Sequence, residues 1–311
     1  MQLYRDFNSY LREIFDCRVQ KITLDAGLTC PNRDGRLGRG GCIYCNPRGS
    51  GTAAGDRQGS AERIQSAKSR LVKRYKAKKF LAYFQSFSNT YAPLSQLKRL
   101  YAEALEDRDV VGLSIGTRPD CLPEEILRHL TQLAREHLIW LELGLQSAKD
   151  ETLKRINRGH SAAQFSEATA RCQVRGLPVC AHVILGLPGE TREDMLETAR
   201  FLNGTGVDAV KIHLLYVIRG TPLHELYRNG DYRCLDRREY AGLVGEFLSR
   251  LGSNTIIQRL TGDPHPEELI APEWALHKQK TLETIQRSMQ ENKRFQGSSL
   301  EAAPLQGRKW P

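Results

Sequence analysis

Val19-Gln-Lys-Ile-Thr-Leu-Asp-Ala26-Gly-Leu-Thr-Cys30-Pro-Asn-Arg-Asp-Gly-Arg-Leu-Gly-Arg-Gly-Gly-Cys42-Ile-Tyr-Cys45-Asn46 decides how the rest of the chain is read. A short run rich in β-branched residues, ending at Ala26, predicts a strand. A glycine-rich loop follows it at once and carries three cysteines spaced C-x11-C-x2-C. Three thiolates on one loop, with an aromatic inside the C-x2-C pair, can ligate three irons of a 4Fe-4S cluster and leave the fourth iron open to a small molecule. A zinc site would need a fourth ligand that the neighbouring residues do not supply. Plain buried thiols are the other reading. The remaining cysteines, Cys17, Cys121, Cys172, Cys180 and Cys234, have no partner at a ligand spacing and read as structural.

Outward from this loop, strand-like runs alternate with amphipathic ones. The strands are expected at 19–26, 80–85, 110–115, 139–145, 179–187 and 207–217. Pro123 fits the start of a helix over 124–136. Ser161 with Gln164, and Thr191 with Asp194, have the spacing of capping boxes. Gly176 and Gly204 are placed to end those two helices. Strand then helix at a period of roughly 30 residues means βαβ crossovers and a parallel sheet. Six strands are too few for a full eight-fold barrel. The expectation is an α/β fold, either a partial (β/α)6 barrel or an open doubly wound sheet, with the site at the C-terminal ends of the strands. Beyond Tyr216 the rhythm changes to a helix over 236–251, a strand over 255–260, a Pro-rich loop over 263–272 and a long final helix. The expected division is an N-terminal segment 1–18, a core 19–223 and a C-terminal extension 224–311 packed on the core.

The 311 residues are 40% hydrophobic and 26% charged, which places the chain among globular proteins. No apolar run is long enough to span a bilayer and the N-terminus lacks the pattern of a signal peptide, so a cytoplasmic protein without a membrane partner is expected. The formal net charge is +10, and the segment from Arg57 to Lys79 alone nets +8. Within it Ile64, Ala67, Leu71 and Tyr75 recur at helical intervals, predicting a helix with one buried stripe and a basic outer face. Arg70, Lys73, Arg74, Lys78 and Lys79 on that face suit a polyanion such as nucleic acid. A solvated face that only aids solubility is the plainer reading. The stretch from Lys278 to Pro311 adds seven basic and three acidic residues.

Together with the cysteine loop, five strand-end segments resemble the radical S-adenosylmethionine (SAM) superfamily, in its branch holding the Elongator catalytic subunit and the YhcC-type proteins. They are Phe84-Gln-Ser-Phe-Ser-Asn-Thr90, Gly116-Thr-Arg-Pro-Asp120, Glu142-Leu-Gly-Leu-Gln-Ser147, Asn157-Arg-Gly-His160 and Ile184-Leu-Gly-Leu-Pro-Gly-Glu-Thr191. The resemblance is close over 19–223. Gln258-Arg-Leu-Thr-Gly-Asp263 and Ala271-Pro-Glu-Trp274 extend it over nearly the whole chain in its YhcC-like form. The eleven-residue spacer between the first two cysteines departs from the usual three and is shared with this branch.

The resemblance implies a partial radical SAM barrel whose 4Fe-4S cluster is held by Cys30, Cys42 and Cys45. It implies that SAM chelates the open iron and is cleaved to a 5′-deoxyadenosyl radical that takes hydrogen from a substrate. Gln85 and Ser86 would hold the methionine end of SAM, Glu142 and Gln146 its ribose or amine, and Ile184 and Gly186 its adenine. The superfamily pattern has Gly where this chain has His182. An ion pair with Arg118 or Arg158 is the structural alternative for Glu142. Lys211, His213 and Tyr216 are candidates for contact with substrate, Lys211 and His213 sharing one face of their strand. A flavodoxin or ferredoxin is the implied electron donor. The leading functional expectation is modification of tRNA. A radical enzyme acting on a small metabolite or protein, and an iron-sulfur nucleic-acid-binding protein without turnover, are the alternatives. The Elongator subunit also carries an acetyltransferase domain, which the rest of this chain is too short to hold.

Overall fold

A computed structural model describes residues 2–46, 49 and 60–300. Helix α1 (Phe7–Phe15) leads into β1 (Val19–Leu24), and βα units follow: α2 (Ser60–Tyr75), β2 (Lys79–Phe84), α3 (Leu94–Leu105), β3 (Val110–Thr117), α4 (Glu124–Leu133) and β4 (Leu138–Gln146). Then come α5 (Asp150–Arg155), α6 (Ala162–Gln173), β5 (Val179–Leu185), α7 (Arg192–Thr205), β6 (Ala209–Leu214), β7 (Val217–Ile218) and α8 (Pro222–Arg228). The chain closes with α9 (Arg237–Ser249), β8 (Ile256–Arg259), β9 (Leu269–Ala271) and α10 (Lys278–Glu291). Seven strands form one parallel sheet in the order β1-β2-β3-β4-β5-β6-β8, curled into a half-barrel with helices around it.

The expected partial barrel is therefore present, and it has a seventh strand: the 255–260 run, placed in the extension by sequence, joins the sheet beside β6. Both capping boxes form. Several boundaries differ from expectation. Gly204 lies inside α7, and Gly206, at φ 66°, is the residue that ends it, because a left-handed C-cap favours glycine. Helix α4 stops at Leu133, short of Glu136. The sixth strand ends at Leu214, and Val217–Ile218 turns away to pair antiparallel with β9. The basic helix runs from Ser60 to Tyr75, so Lys78 and Lys79 lie beyond it; Arg57 and the tail after Leu300 fall outside the described residues.

Strand alternation sorts the side chains cleanly. On the outer face Ile22, Phe80, Leu113, Leu141, Val183 and Ile212 pack with the helices in the main core. On the inner face the composition changes layer by layer. Lowest are Val19, Leu81, Trp140, Cys180, Ala209 and Ile256, covered from below by α1. The edges of Phe7 and Tyr10 meet the Trp140 ring at 5.7 and 5.8 Å. Two residues further along their strands stand Lys21, Tyr83, Glu142, His182 and Lys211. Nearest the C-terminal tips are Gln85, Gln146, Ile184 and Gly186. The half-barrel has an apolar floor, an ionic middle and a polar, glycine-containing rim.

Candidate active site

The cysteine loop lies over this rim and is held by backbone and side-chain bonds from distant segments. Asn32 Nδ2 donates to the Asn157 carbonyl at 2.5 Å, and Asn157 Nδ2 donates to the Gly41 carbonyl at 2.7 Å. Ile43 N–H donates to the Ile156 carbonyl, and Leu223 N–H to the Ile43 carbonyl. Asn157 has φ 53° and Gly159 φ 73°, left-handed conformations that bend this clamp toward the loop. Within the spacer an antiparallel bridge joins Asp34 and Arg39, so the extra residues form a small hairpin with Arg36 and Leu37 exposed.

Arg158 is the electrostatic centre of this region. Its guanidinium is buried, reaches Cys42 Sγ from Nη1 at 3.7 Å and donates from Nη2 to the Gly144 carbonyl at 2.9 Å. A Cβ on Gly144 would stand 2.4 Å from that nitrogen, so only glycine admits the arginine. Arg158 forms no ion pair with a carboxylate among the described residues, and its buried Nε has no hydrogen-bond partner there. A buried cation needs an anion beside it. The Cys45 thiol donates to Cys42 and Arg158 adds its charge, so Cys42 is held well below the usual thiol range, as a thiolate. Cys30 also lies within electrostatic reach of Arg158. A Cys42 thiolate backed by an otherwise uncompensated arginine, on a loop with two further cysteines, fits an anionic iron-sulfur cluster. Among the described residues no three Cys, His, Asp or Glu side chains are drawn together as a closed metal-ligand set.

At the strand ends, Ser86 and Phe87 have φ 73° and 60°, and Gln146 has φ 75°. Such conformations are costly for residues with a Cβ and cluster where a site fixes the backbone. Asn89 Nδ2 donates to the carbonyls of Ser86 and Gly116, and Tyr101 OH donates to the Asn89 carbonyl, which locks the turn after β2. Gly186, at φ 90°, donates its N–H to Met195 Sδ and accepts from Tyr232 OH at 2.9 Å. Gln85, Ser86, Gln146, Ile184 and Gly186 thus occupy one rim, at the tips of β2, β4 and β5.

Glu142 departs from expectation. It lies four residues before Gln146, in the middle layer, and its carboxylate is fully engaged. Lys21 Nζ donates to Oε1 at 2.5 Å, and Lys211 Nζ and His182 Nε2, the latter at 2.8 Å, donate to Oε2. The Glu142 side chain is fully buried behind these donors and offers no exposed oxygen to a ribose. Glu142 is ion-paired, but to Lys21 and Lys211 and not to the Arg118 or Arg158 of the structural alternative. Arg118 instead pairs with Asp120 at 2.9 Å and donates to the Arg158 carbonyl. His182 fills the position of the superfamily glycine and uses its ring to hold Glu142. Lys211 and His213 face the interior, and Tyr216 lies between the loop and this layer, within electrostatic reach of both Cys45 and Arg259. A Cβ on Gly262 would stand 2.5 Å from the Tyr216 ring, so the Thr261-Gly262 turn packs directly on it.

The basic residues lie at the other end of the molecule. A helix connecting parallel strands runs antiparallel to them, so the C-terminal end of α2 reaches the floor. Lys78 N–H donates to the Arg18 carbonyl, ahead of β1, and the Lys79 ammonium sits 5.1 Å over the Phe15 ring. Arg70, Lys73, Arg74 and Lys78 are exposed, as a polyanion-binding face requires, while Lys79 is half-buried. Sequence reasoning missed Arg158, Lys21 and Arg259 as site residues. The Asn157-Arg-Gly-His160 segment was a usable signal for the first, since polar residues and a glycine on a short loop often serve a neighbouring loop. The other two lie on strands with no local motif.

Comparison with known proteins agrees with this geometry. Residues 32–202 match the Radical SAM superfamily and residues 207–291 the Radical_SAM C-terminal domain. The chain is 38% identical to the uncharacterized protein YtqA of Bacillus subtilis, covering 94% of this chain and 92% of that one. It is 36% identical to protein YhcC of Escherichia coli over 100% and 98% of the two chains. Elongator complex protein 3 of Homo sapiens is 30% identical over 49% of this chain and 28% of its own. Among solved structures, the archaeal Elp3 of Methanocaldococcus infernus with an N-terminal deletion superposes with a TM-score of 0.66 at 19% identity, covering 89% of this chain and 64% of that one. Set beside the clamped cysteine loop and the half-barrel, these matches make the chain a member of the radical SAM superfamily, in its YhcC-type, Elongator-like branch, and so an enzyme that uses a 4Fe-4S cluster and SAM.

Proposed function

We propose that this enzyme modifies a nucleoside of tRNA. In this reading Cys30, Cys42 and Cys45 hold the cluster, while Gln85, Ser86, Gln146, Ile184 and Gly186 hold SAM. When bound, the two supply a 5′-deoxyadenosyl radical able to abstract hydrogen. The chain's own residues do the rest: Asn32, Asn157 and Arg158 fix the loop, and Lys211, His213 and Tyr216 line the interior below it. The division in this reading is a core over 19–223, an N-terminal segment 1–18 whose α1 covers the floor, and an extension 224–311 that contributes β8 to the sheet. The donor is a flavodoxin or ferredoxin and the setting the cytoplasm, in keeping with the fact that no described helix is long and apolar enough to cross a membrane.

The observation that carries the tRNA substrate is the likeness to Elongator complex protein 3 across 157 residues. The exposed basic face of α2 supports it, since it offers phosphate contacts away from the reacting centre. Its distance from the cysteine loop favours the second reading, a small metabolite or protein substrate. Nucleoside profiling of tRNA from cells with and without the gene separates the two. A modified nucleoside that disappears, with its precursor accumulating, is expected; identical profiles would move the substrate to the second reading. In the same strain Cys42→Ala should reproduce the deletion, and the purified variant given dithionite and SAM should release no 5′-deoxyadenosine.

A further inference from the structure

The middle layer of the half-barrel contains more positive charge than its own residues neutralise. Lys21 and Lys211 stand there, Arg259 is set beside Lys211 by the pairing of β6 with β8, and Glu142 is the carboxylate among them. Glu142 is already bound to both lysines. Arg259 has no ion pair and no side-chain hydrogen bond among the described residues, yet it stands within electrostatic reach of Tyr83, Lys211, His213 and Tyr216. The further carboxylates within electrostatic reach of Tyr216 are engaged elsewhere, Asp263 with Lys278 and Glu268 with Asn46. Two more polar groups of the layer lack partners: His213 Nε2 and Gln258 Nε2 are buried without a hydrogen bond in the described structure. Native interiors rarely leave such nitrogens unpaired.

The layer is also reachable. Lys21 keeps 20% of its side chain exposed and His182 17%, and His213, Tyr216 and Arg259 are only half-buried. The floor beneath is sealed by α1, so access is from the rim. Two lysines and an arginine around one carboxylate, with unpaired nitrogens beside them, make a preformed seat for a further anion, because in a low-dielectric interior an unbalanced cation is costly and an added anion relieves it.

We propose that Lys21, Lys211, His213 and Arg259 form a binding site for an anionic group of the substrate, a carboxylate or a phosphate, seated inside the half-barrel below the SAM rim. Arg259 is its principal ligand, since its guanidinium offers a planar fork suited to either anion. The proposal rests on the radical SAM reading of the half-barrel and does not depend on tRNA being the substrate. It separates two tasks: the rim holds the cofactor, and the ionic layer orients the part of the substrate that must not react.

The test uses the cluster-loaded, unreduced protein with SAM bound, so that the open iron is not free to take the probe. Line broadening of 13C-labelled acetate and of the 31P signal of inorganic phosphate is followed by NMR at an ionic strength held constant with potassium chloride. Saturable binding of either ion is expected, and the ion that binds tells whether the substrate presents a carboxylate or a phosphate. Arg259→Gln should weaken that binding by about 10- to 100-fold, the range of a lost charge-assisted hydrogen bond. Arg259→Lys should restore part of it. Arg259→Gln is chosen because the side chain has no ion pair or hydrogen bond to lose among the described residues, and an unchanged circular dichroism spectrum would confirm that the fold persists. If neither ion binds the wild-type protein, or if Arg259→Gln binds as the wild type does, the anion site is overturned. The tRNA reading, which rests on the nucleoside profile, would be untouched.

Discussion

Glu190 shows how burial can outweigh hydrogen bonding in setting the behaviour of one carboxyl group. It follows the turn after β5, where Ser147 donates its hydroxyl to Oε1, and burial pushes its pKa up to about 7. The unfolded chain ionises this acid near its usual 4.5. Between that pH and about 7 the unfolded state has given up a proton that the folded state keeps, so the stability this group contributes in acid is lost as pH rises. Glu190→Gln keeps the shape and an oxygen to accept from Ser147, and it cannot ionise. It should unfold like the wild type near pH 4 and be more stable by roughly 3 kcal/mol at pH 8, at 1.36 kcal/mol per pKa unit. Urea unfolding at the two pH values checks this. A variant less stable than the wild type at pH 8 would mean that the hydrogen bonds to the ionised acid outweigh its burial.

Helix α1 shows the same reasoning one level up. Its apolar residues fall on one side, Asp6 caps it through the Ser9 N–H, and Tyr10 and Leu11 are buried against the floor of the half-barrel. Leu11→Ala should therefore cost about 2–5 kcal/mol, as for other core truncations, measured by equilibrium urea unfolding. A loss below about 1 kcal/mol would show that the helix rests on the barrel without being part of its core. The sequence alone assigns no helix to 1–18, and α1 and its role as floor emerge only in the structure, because nothing local says which surface an amphipathic stripe will cover. The same limit explains the misplaced features. Strands and capping boxes were readable from periodicity and cap residues. The shared rim of Gln85, Ser86, Gln146, Ile184 and Gly186 was readable only through their strand-end motifs. The partners of Glu142 were not, since Lys21, His182 and Lys211 come together only once β1, β4, β5 and β6 are placed side by side in the sheet. Gly204 and Gly206 are equally good local stops, and packing chose the second.

At the scale of the whole molecule, the half-barrel separates two chemistries by its length. The cysteine loop and the strained turns belong to the open end, where the strands finish, and the ionic layer lies beneath them. The basic face of α2 descends toward the closed end, beside Arg18 and the start of β1. A small substrate would engage the first region alone, whereas a folded RNA is large enough to enter the mouth while its phosphates contact the side of the barrel. The two regions should then be separable in binding. Replacing Arg70, Lys73, Arg74 and Lys78 with Gln removes four exposed charges without touching the sheet. If they meet tRNA phosphates, affinity at low salt should fall, and the slope of log K against log salt should become shallower by about 0.7–0.9 for each phosphate no longer neutralised. The wild-type and variant affinities should converge at high salt, because only the counterion-release component has been removed. Filter binding of tRNA across a salt series makes the measurement. Parallel lines with equal affinities would leave α2 as a solvated face and place all recognition at the mouth of the half-barrel.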